Sequence, residues 1–374
     1  MIRSRWLIGL LLVGCSTEPS VPTPEVADGF IDLSKWNFRD DGPVELDGPW
    51  YFVWDDFVDA MPWTEMETRL PHRLHVPAEW DATPNPTNPS ETLPRHGAAT
   101  YALRLRLAAT ERVSIRLPWI ATAADLVALR ADGLSLAHYR KGQVSMTAGD
   151  EVPIRSVVPT LMIVPPLDQP PDRPFDITLH IKVSNHHYPF GGMRGAPVID
   201  SVASVEKETL TDQLRSSAIL GILFIVGVYH LMLYLARRED LAALHFGGLC
   251  LSFGLRELSM SGFLPRLGWG LSIDGYIWTV RAEFVAVPIM VTFVGLFIHA
   301  MLPHRIFYRF VVWWGAFLGA SLSLMILLTL PDFFASWRIL NQVHIIVSIL
   351  ACFVHLGIQM YLGTELAPSV AFGF

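Results

Sequence analysis

Four charged residues lie near the ends of long apolar stretches in the second half of the chain: Arg256, Glu257, Arg281 and Glu283. Charged side chains are costly at membrane depth and are often functional there. Opposite charges inside a helical bundle can pair, so the sequence predicts a charged cluster near the outer face of a membrane. The alternative is that all four side chains lie at the water interface, where their long stems let them reach solvent and no pairing is required.

Motifs for catalysis are not evident in this sequence. It contains no glycine-rich phosphate loop, no nucleophile elbow, no recognisable pair of catalytic carboxylates and no histidine-kinase signature. His186 and His187 are adjacent, and neighbouring residues on a strand point to opposite faces, so they do not readily chelate one ion. We therefore expect no enzyme active site, no metal ion and no other cofactor in this chain.

The first residues have the features of an export signal. Two arginines precede the apolar run Trp6–Val13, which is too short to span a membrane. The sequence Leu12-Val13-Gly14-Cys15 resembles a lipobox, which implies lipid attachment to Cys15 and a lipoprotein-type signal peptide over residues 1–15. A plain signal peptide, or an uncleaved anchor with an incidental cysteine, is the alternative. Residues 16–29 are rich in Ser, Thr, Pro and Glu, which predicts a flexible tether.

Charge divides the rest of the chain into two unlike parts. Residues 16–213 hold 17 Lys or Arg and 28 Asp or Glu, whereas residues 214–374 hold 9 and 7. The first part has the composition of an acidic soluble domain, and the second is apolar enough for a membrane. An acidic domain repels phosphate groups, which argues against nucleic acid as a partner.

Alternating polar and apolar residues predict strands between residues 30 and 205. The pattern is strict in Tyr101–Leu107, Val113–Leu117 and Ile177–Val183, and turn residues separate these segments. Many short alternating strands are typical of a β-sandwich. We expect a short helix at Asp55–Ala60.

Several short motifs connect this region with a known family. Leu46–Trp54, Val76–Trp80, Ala99–Leu103 and Val183–Asn185, with the glycine pair Gly191-Gly192, occur in this order. The order resembles the extracellular jelly-roll domain of the seven-transmembrane receptors with diverse intracellular signalling modules. That domain is similar to the galactose-binding-like, sugar-binding jelly rolls of glycoside hydrolases. With the apolar half, the resemblance covers most of residues 30–374 and implies a jelly-roll β-sandwich followed by a helical membrane bundle.

The same resemblance implies where a ligand would bind. Together with the aromatic content, it points to a site for a sugar or another small polar ligand around Trp80, Arg95 and Asn185. The alternative is that the tryptophans belong to the core, because large aromatic side chains in a β-sandwich mostly do.

The apolar half, residues 214–374, is long enough for several membrane spans. Apolar runs of about 20 residues with few charges can cross the hydrocarbon core. The sequence predicts five such spans and the start of a sixth, at residues 217–236, 241–258, 278–302, 311–330, 343–362 and 366–374. If residues 16–213 are exported, Arg237 and Arg238 lie in the cytoplasm, as the positive-inside rule prefers.

The predicted function is that of a multi-pass receptor in the inner membrane of a bacterium, with its N-terminal domain outside. The family resemblance implies that this domain binds a ligand and that the helices relay the change to a cytoplasmic histidine kinase, cyclase or diguanylate cyclase. The chain ends before any such module, so we expect an incomplete gene model or a natural truncation. The membrane domain could also mediate a dimer. The alternative is a membrane-anchored carbohydrate-binding protein without a signalling role.

Overall fold

The computed structural model describes residues 22–117, 120, 122–155 and 158–364. The predicted signal peptide, the lipidation site Cys15 and the predicted span at 366–374 lie outside these residues. The strands of the N-terminal domain are β1 Phe30–Leu33, β2 Val44–Glu45, β3 Gly48–Trp54, β4 His72–Val76, β5 Ala78–Glu79, β6 Pro84–Asn85, β7 Asn88–Thr92, β8 Gly97–Leu107, β9 Val113–Arg116, β10 Ala123–Arg130, β11 Ser135–Lys141, β12 Thr160–Ile163, β13 Phe175–Asn185, β14 Gly192–Met193 and β15 Val198–Ser201. The helices are α1 Trp63–Arg69, α2 Val202–Ala236, α3 Leu241–Met260, α4 Phe263–Arg266, α5 Ile273–Met301, α6 Arg305–Phe310, α7 Leu318–Leu328, α8 Pro331–Ser336 and α9 Arg338–Tyr361.

Two sheets enclose the core of the N-terminal domain, and together they form the predicted sandwich. The larger sheet has the order β11-β10-β13-β8-β3-β4, and the smaller sheet has the order β12-β9-β15-β2. These neighbours are antiparallel, whereas β1 runs parallel to the end of β8. Apolar side chains of both sheets meet in one buried cluster. Strict alternation positions them, since residues two apart on a strand share one face.

The second face of the larger sheet is also covered. Met66 of α1 and Leu70, which follows the helix, pack there against Tyr51 of β3 and Ala102 of β8. The helix predicted at Asp55–Ala60 does not form, and α1 begins three residues later.

The N-terminal boundary differs from the predicted tether of residues 16–29. Val26 is buried in the core, and Ala27 pairs with Phe30 through two backbone hydrogen bonds. An apolar side chain near the end of a polar segment gains free energy by joining the core. The domain therefore starts at Val26.

The predicted boundary between the two halves falls inside a single helix. α2 begins at Val202 and continues without a break to Ala236. At about 1.5 Å per residue, its 35 residues extend roughly 52 Å. Its N-terminus is capped by Ser201, whose hydroxyl accepts a hydrogen bond from the Ser204 N–H at 3.2 Å. A continuous helix thus joins the sandwich to the apolar half.

Each of the five described spans predicted from the sequence coincides with one long helical segment, and none extends beyond it by more than two residues. Four segments are long and apolar enough to cross a membrane: Val202–Ala236, Ile273–Met301, Arg305–Leu328 and Arg338–Tyr361. The third contains a π-helical stretch at Val311–Phe317. α3 is not among the four within the described chain, because Arg256 and Glu257 lower its mean hydropathy.

Small residues allow α2 and α3 to pack closely. A Cβ on Gly227 would lie 2.8 Å from the Leu251 side chain, and a Cβ on Gly247 would lie 3.0 Å from the Gly227 carbonyl. Close approach of backbones at small residues is typical of helix packing in membranes.

Candidate functional site

A buried ion pair joins the sandwich to the helices. Arg155, in the segment between β11 and β12, donates from Nε to Glu283 Oε2 at 3.1 Å and from Nη2 to both carboxylate oxygens at 2.9 and 3.1 Å. Glu283 lies on α5, and the two side chains are only 5% and 11% exposed. Burial opposes the charged form of Arg155, but the Glu283 carboxylate and the nearby hydroxyls of Tyr188 and Tyr276 together outweigh burial, so the pKa of Arg155 is raised.

Aromatic side chains surround this pair. The Arg155 guanidinium carbon lies 4.9 Å from the ring centroid of Tyr188, which follows β13. Tyr188 shares a buried apolar cluster with helical residues that include Tyr276 of α5 and Phe334 of α8. The Arg155–Glu283 junction therefore lies in apolar surroundings, in which a charge without its partner would cost much free energy.

Hydrogen bonds to the turn after β13 position Tyr188. Asn185 donates from Nδ2 to the Tyr188 carbonyl at 2.7 Å and to the Arg95 carbonyl at 3.0 Å. The buried Glu151 carboxylate accepts from the His186 N–H at 2.9 Å and from the Ser184 hydroxyl at 2.5 Å. A carboxylate that accepts several hydrogen bonds from one turn holds its backbone in place.

A second contact lies beside the first. His96 Nε2 is 2.8 Å from Asp332 Oδ1 on α8. Nearby, the guanidinium carbon of Arg338, on α9, lies 4.2 Å from the ring centroid of Phe190. The loops at residues 95–96 and 186–190 of the sandwich thus contact the helices on the side where α5 and α9 begin.

The structure brings the three predicted ligand residues close together, and two of them are buried. Trp80 and Asn185 are 0% and 1% exposed, whereas the side chain of Arg95 is 55% exposed and pairs with Asp81 at 3.0 Å. Trp80 donates from its indole N–H to the Tyr101 hydroxyl at 2.6 Å. Trp80 and Asn185 therefore stabilise the core and the turn that carries Tyr188, and of the three only Arg95 faces solvent.

A glycine motif is explained by the same packing. A Cβ on Gly191 would lie 2.3 Å from Trp80 Cε3 and 2.6 Å from the Arg95 carbonyl oxygen, closer than atoms can approach. Gly191 is required because the backbone passes directly over the Trp80 ring.

The predicted charged cluster is also corrected. Glu283 pairs with Arg155 instead of Arg281. Arg281 donates to the Thr329 carbonyl at 3.0 Å, and Arg256 lines an apolar cavity of about 300 Å³ formed by α3, α5 and α9. Glu257 is half-buried on α3. The partner of Glu283 could not be found from nearby sequence, because it comes from the other domain.

Comparison with known proteins identifies the helical half. Residues 212–374 match the family model described as 7TM diverse intracellular signalling. No curated protein sequence matches the chain. Among solved structures, a β-glucuronidase from glycoside hydrolase family 2 is similar, with 13% sequence identity and a TM-score of 0.28 over 42% of this chain. The similar region spans 17% of the β-glucuronidase chain. Residues 212–374 therefore belong to the 7TM diverse intracellular signalling family, and a β-rich domain precedes them.

Proposed function

We propose that this protein is a membrane receptor in which the Arg155–Glu283 junction couples a ligand-binding sandwich to the helices. The observation that carries the proposal is the buried ion pair between the domains. Breaking such a pair leaves an uncompensated charge, so the pair favours only those arrangements in which both partners stay in contact. If a ligand displaced the turn at Tyr188, the ion pair would either resist the movement or pass it on to α5 through Glu283.

The proposed location is the inner membrane of a bacterium, with the sandwich outside and Cys15 lipidated. Two observations support this orientation. The segment 261–272 and α8 lie on the side of the sandwich, while Arg237 and Arg238 follow the far end of α2. Arg237 and Arg238 agree with the positive-inside rule, whereas Arg215, Arg266 and Arg338 lie on the side of the sandwich. The predicted export signal at the N-terminus therefore decides the orientation.

The proposed ligand is a sugar or another small polar molecule. Since Trp80 and Asn185 are buried, the proposed contact surface is the solvent-exposed region around Arg95. His96 neighbours Arg95 and contacts Asp332, so a ligand there would lie next to the helices. A full-length parent would carry a histidine kinase or cyclase-type output, and a dimer through the membrane domain would fit such a receptor.

Hydrogen exchange of the full chain in lipid nanodiscs tests the coupling. We expect Arg155→Met to change amide exchange in the loops that contain Arg237–Asp240 and Leu302–His304, at the far end of the helices. Arg130→Met is the matched control, because Arg130 pairs with Asp132 and Asp168 on the surface of the sandwich. If Arg155→Met changes exchange only beside the junction, the alternative of a membrane-anchored carbohydrate-binding protein without signalling is favoured.

A further inference from the structure

A second cavity lies between the sandwich and the helices, and neither Arg155 nor Glu283 is among its lining residues. Its volume is about 640 Å³, within the range of small-molecule sites. The sandwich contributes residues from β9 and β11, and the apolar half contributes the beginning of α2 and the segment from Met260 to Leu271. The cavity thus has walls from both parts of the chain.

Cationic side chains dominate the lining. Five basic residues line it, against one acidic residue, Asp212: Arg116, Arg140, Lys141, Arg215 and Arg266. The five come from four elements, β9, β11, α2 and α4, that are distant in sequence. Concentrated positive charge next to a low-dielectric membrane raises the local concentration of anions.

Acidic neighbours compensate only part of this charge. Arg116 pairs with Glu208 at 2.6 Å and Arg215 pairs with Asp212 at 3.1 Å. Arg140 lies 3.6 Å from Asp125, a longer contact. Arg266 is exposed and has no acidic partner among the described residues. Arg140 and Arg266 are therefore the two guanidinium groups most able to bind an anion.

A buried lysine contributes to the basic lining of the cavity. Lys141 is 1% exposed, and its ammonium donates to the Ile120 carbonyl, a neutral acceptor. Burial and the nearby positive charge of Arg155 lower the pKa of Lys141 to about 7. An anion in the cavity would favour the charged form of this group.

We propose that this cavity binds a phosphate-type oxyanion at the boundary between the sandwich and the membrane. Guanidinium groups recognise phosphate through paired N–H donors, and several of them from different elements suit one multiply charged group. The anion could be a soluble phosphate or the phosphate of a lipid headgroup. The neighbouring exposed side chains Leu267 and Trp269, 79% and 55% exposed, are of the type found at membrane interfaces.

Binding measured on the full chain tests the site and separates the two sources. Inorganic phosphate is titrated by calorimetry into the delipidated chain in detergent. In parallel, native mass spectrometry compares retention of phosphatidylglycerol with retention of phosphatidylcholine. The test variant is Arg140→Gln with Arg266→Gln, and the control is Arg39→Gln with Arg173→Gln, which removes two exposed charges elsewhere on the sandwich.

If the anion is a soluble phosphate, we expect phosphate to bind the wild type and the control, and the test variant to bind about tenfold more weakly or worse. If the source is a lipid, we expect the test variant alone to lose its preference for phosphatidylglycerol. Arg140→Lys with Arg266→Lys checks that positive charge, and not local folding, decides the result. Equal behaviour of the test and control variants in both measurements would overturn the proposal. Since only binding is measured, that result would leave the receptor proposal untouched.

Discussion

Arg155 and Glu283 form a bidentate, buried ion pair across 128 residues of sequence, with Nη2–Oε2 and Nη2–Oε1 distances of 2.9 and 3.1 Å. Removal of one partner from a buried pair costs about 3–5 kcal/mol, because the other charge stays buried. Replacement of both by apolar residues costs much less. We therefore expect Arg155→Met and Glu283→Leu each to destabilise the full chain in detergent, and the double variant to be more stable than the sum predicts.

Thermal unfolding of the wild type, the two single variants and the double variant provides a double-mutant cycle. The exposed pair Arg130–Asp132 serves as the control, since surface pairs contribute about 0–1 kcal/mol. Additive effects of Arg155→Met and Glu283→Leu would contradict a direct interaction between the two residues.

Gly191→Ala tests the packing of the glycine motif. The new Cβ would overlap the Trp80 ring and the Arg95 carbonyl, so we expect a loss of about 1–3 kcal/mol from overpacking. Gly149→Ala is the matched control, because a Cβ there meets no atom within 4 Å. Unfolding of both variants with denaturant measures the difference. Equal stability of the two would show that the backbone at residue 191 can move away from Trp80.

Local patterns predicted the strands well. The alternation in Tyr101–Leu107 and Ile177–Val183 lies within β8 and β13, since the two-residue period of a strand appears directly in the sequence. The apolar runs likewise coincide with long helical segments to within two residues, because length and hydropathy are also local properties.

Long-range contacts could not be predicted in the same way. Asn185 and Trp80 both lie near the Arg95 carbonyl, as the family resemblance implies. Residue type alone, however, does not distinguish a buried aromatic side chain from one that faces a ligand. Arg155 follows a proline and an isoleucine in an irregular segment, and no local pattern distinguishes it from the other arginines of the sandwich. Its partner becomes evident only when both domains are assembled.

Lipidation of Cys15 remains a prediction from the sequence Leu12–Cys15. Metabolic labelling with palmitate should modify the wild type and leave Cys15→Ala unlabelled. Cys250→Ala should keep the label, because Cys250 is buried in α3. Equal labelling of wild type and Cys15→Ala would remove the claim.

Residues 22–205 should fold without the helices. Their main core consists of side chains from β1 to β15 and the adjoining loops, without a contribution from α2 onwards. We expect a β-type circular dichroism spectrum and a cooperative melt. The faces of Tyr188 and Phe190 that contact the helices would become exposed, so Phe190→Ser should improve solubility without a change of spectrum. A disordered spectrum would mean that the helices are required for folding.

His180 should make the stability of the sandwich depend on pH. It lies on β13 and is 1% exposed, and its Nε2 lies 3.1 Å from the Met61 N–H nitrogen and 2.8 Å from the Met61 carbonyl oxygen. Burial lowers the pKa of His180 to about 4, from an ordinary value near 6.5. In the folded state the ring is therefore neutral at pH values where the unfolded chain already binds a proton.

This difference in pKa determines how the stability changes with pH. Because the folded pKa is the lower one, the contribution of His180 is fully present above about pH 6.5 and is lost as the pH falls towards about 4. Its maximum is roughly 3 kcal/mol. We expect the wild type to lose stability over this range more steeply than His180→Gln, whose amide can still bond to Met61 but does not titrate. Thermal melting of the full chain in detergent at a series of pH values measures the stability of both proteins. In the difference between their stabilities, the contributions of the carboxylates that they share cancel. Parallel curves for wild type and His180→Gln would show that His180 does not stay neutral in the fold.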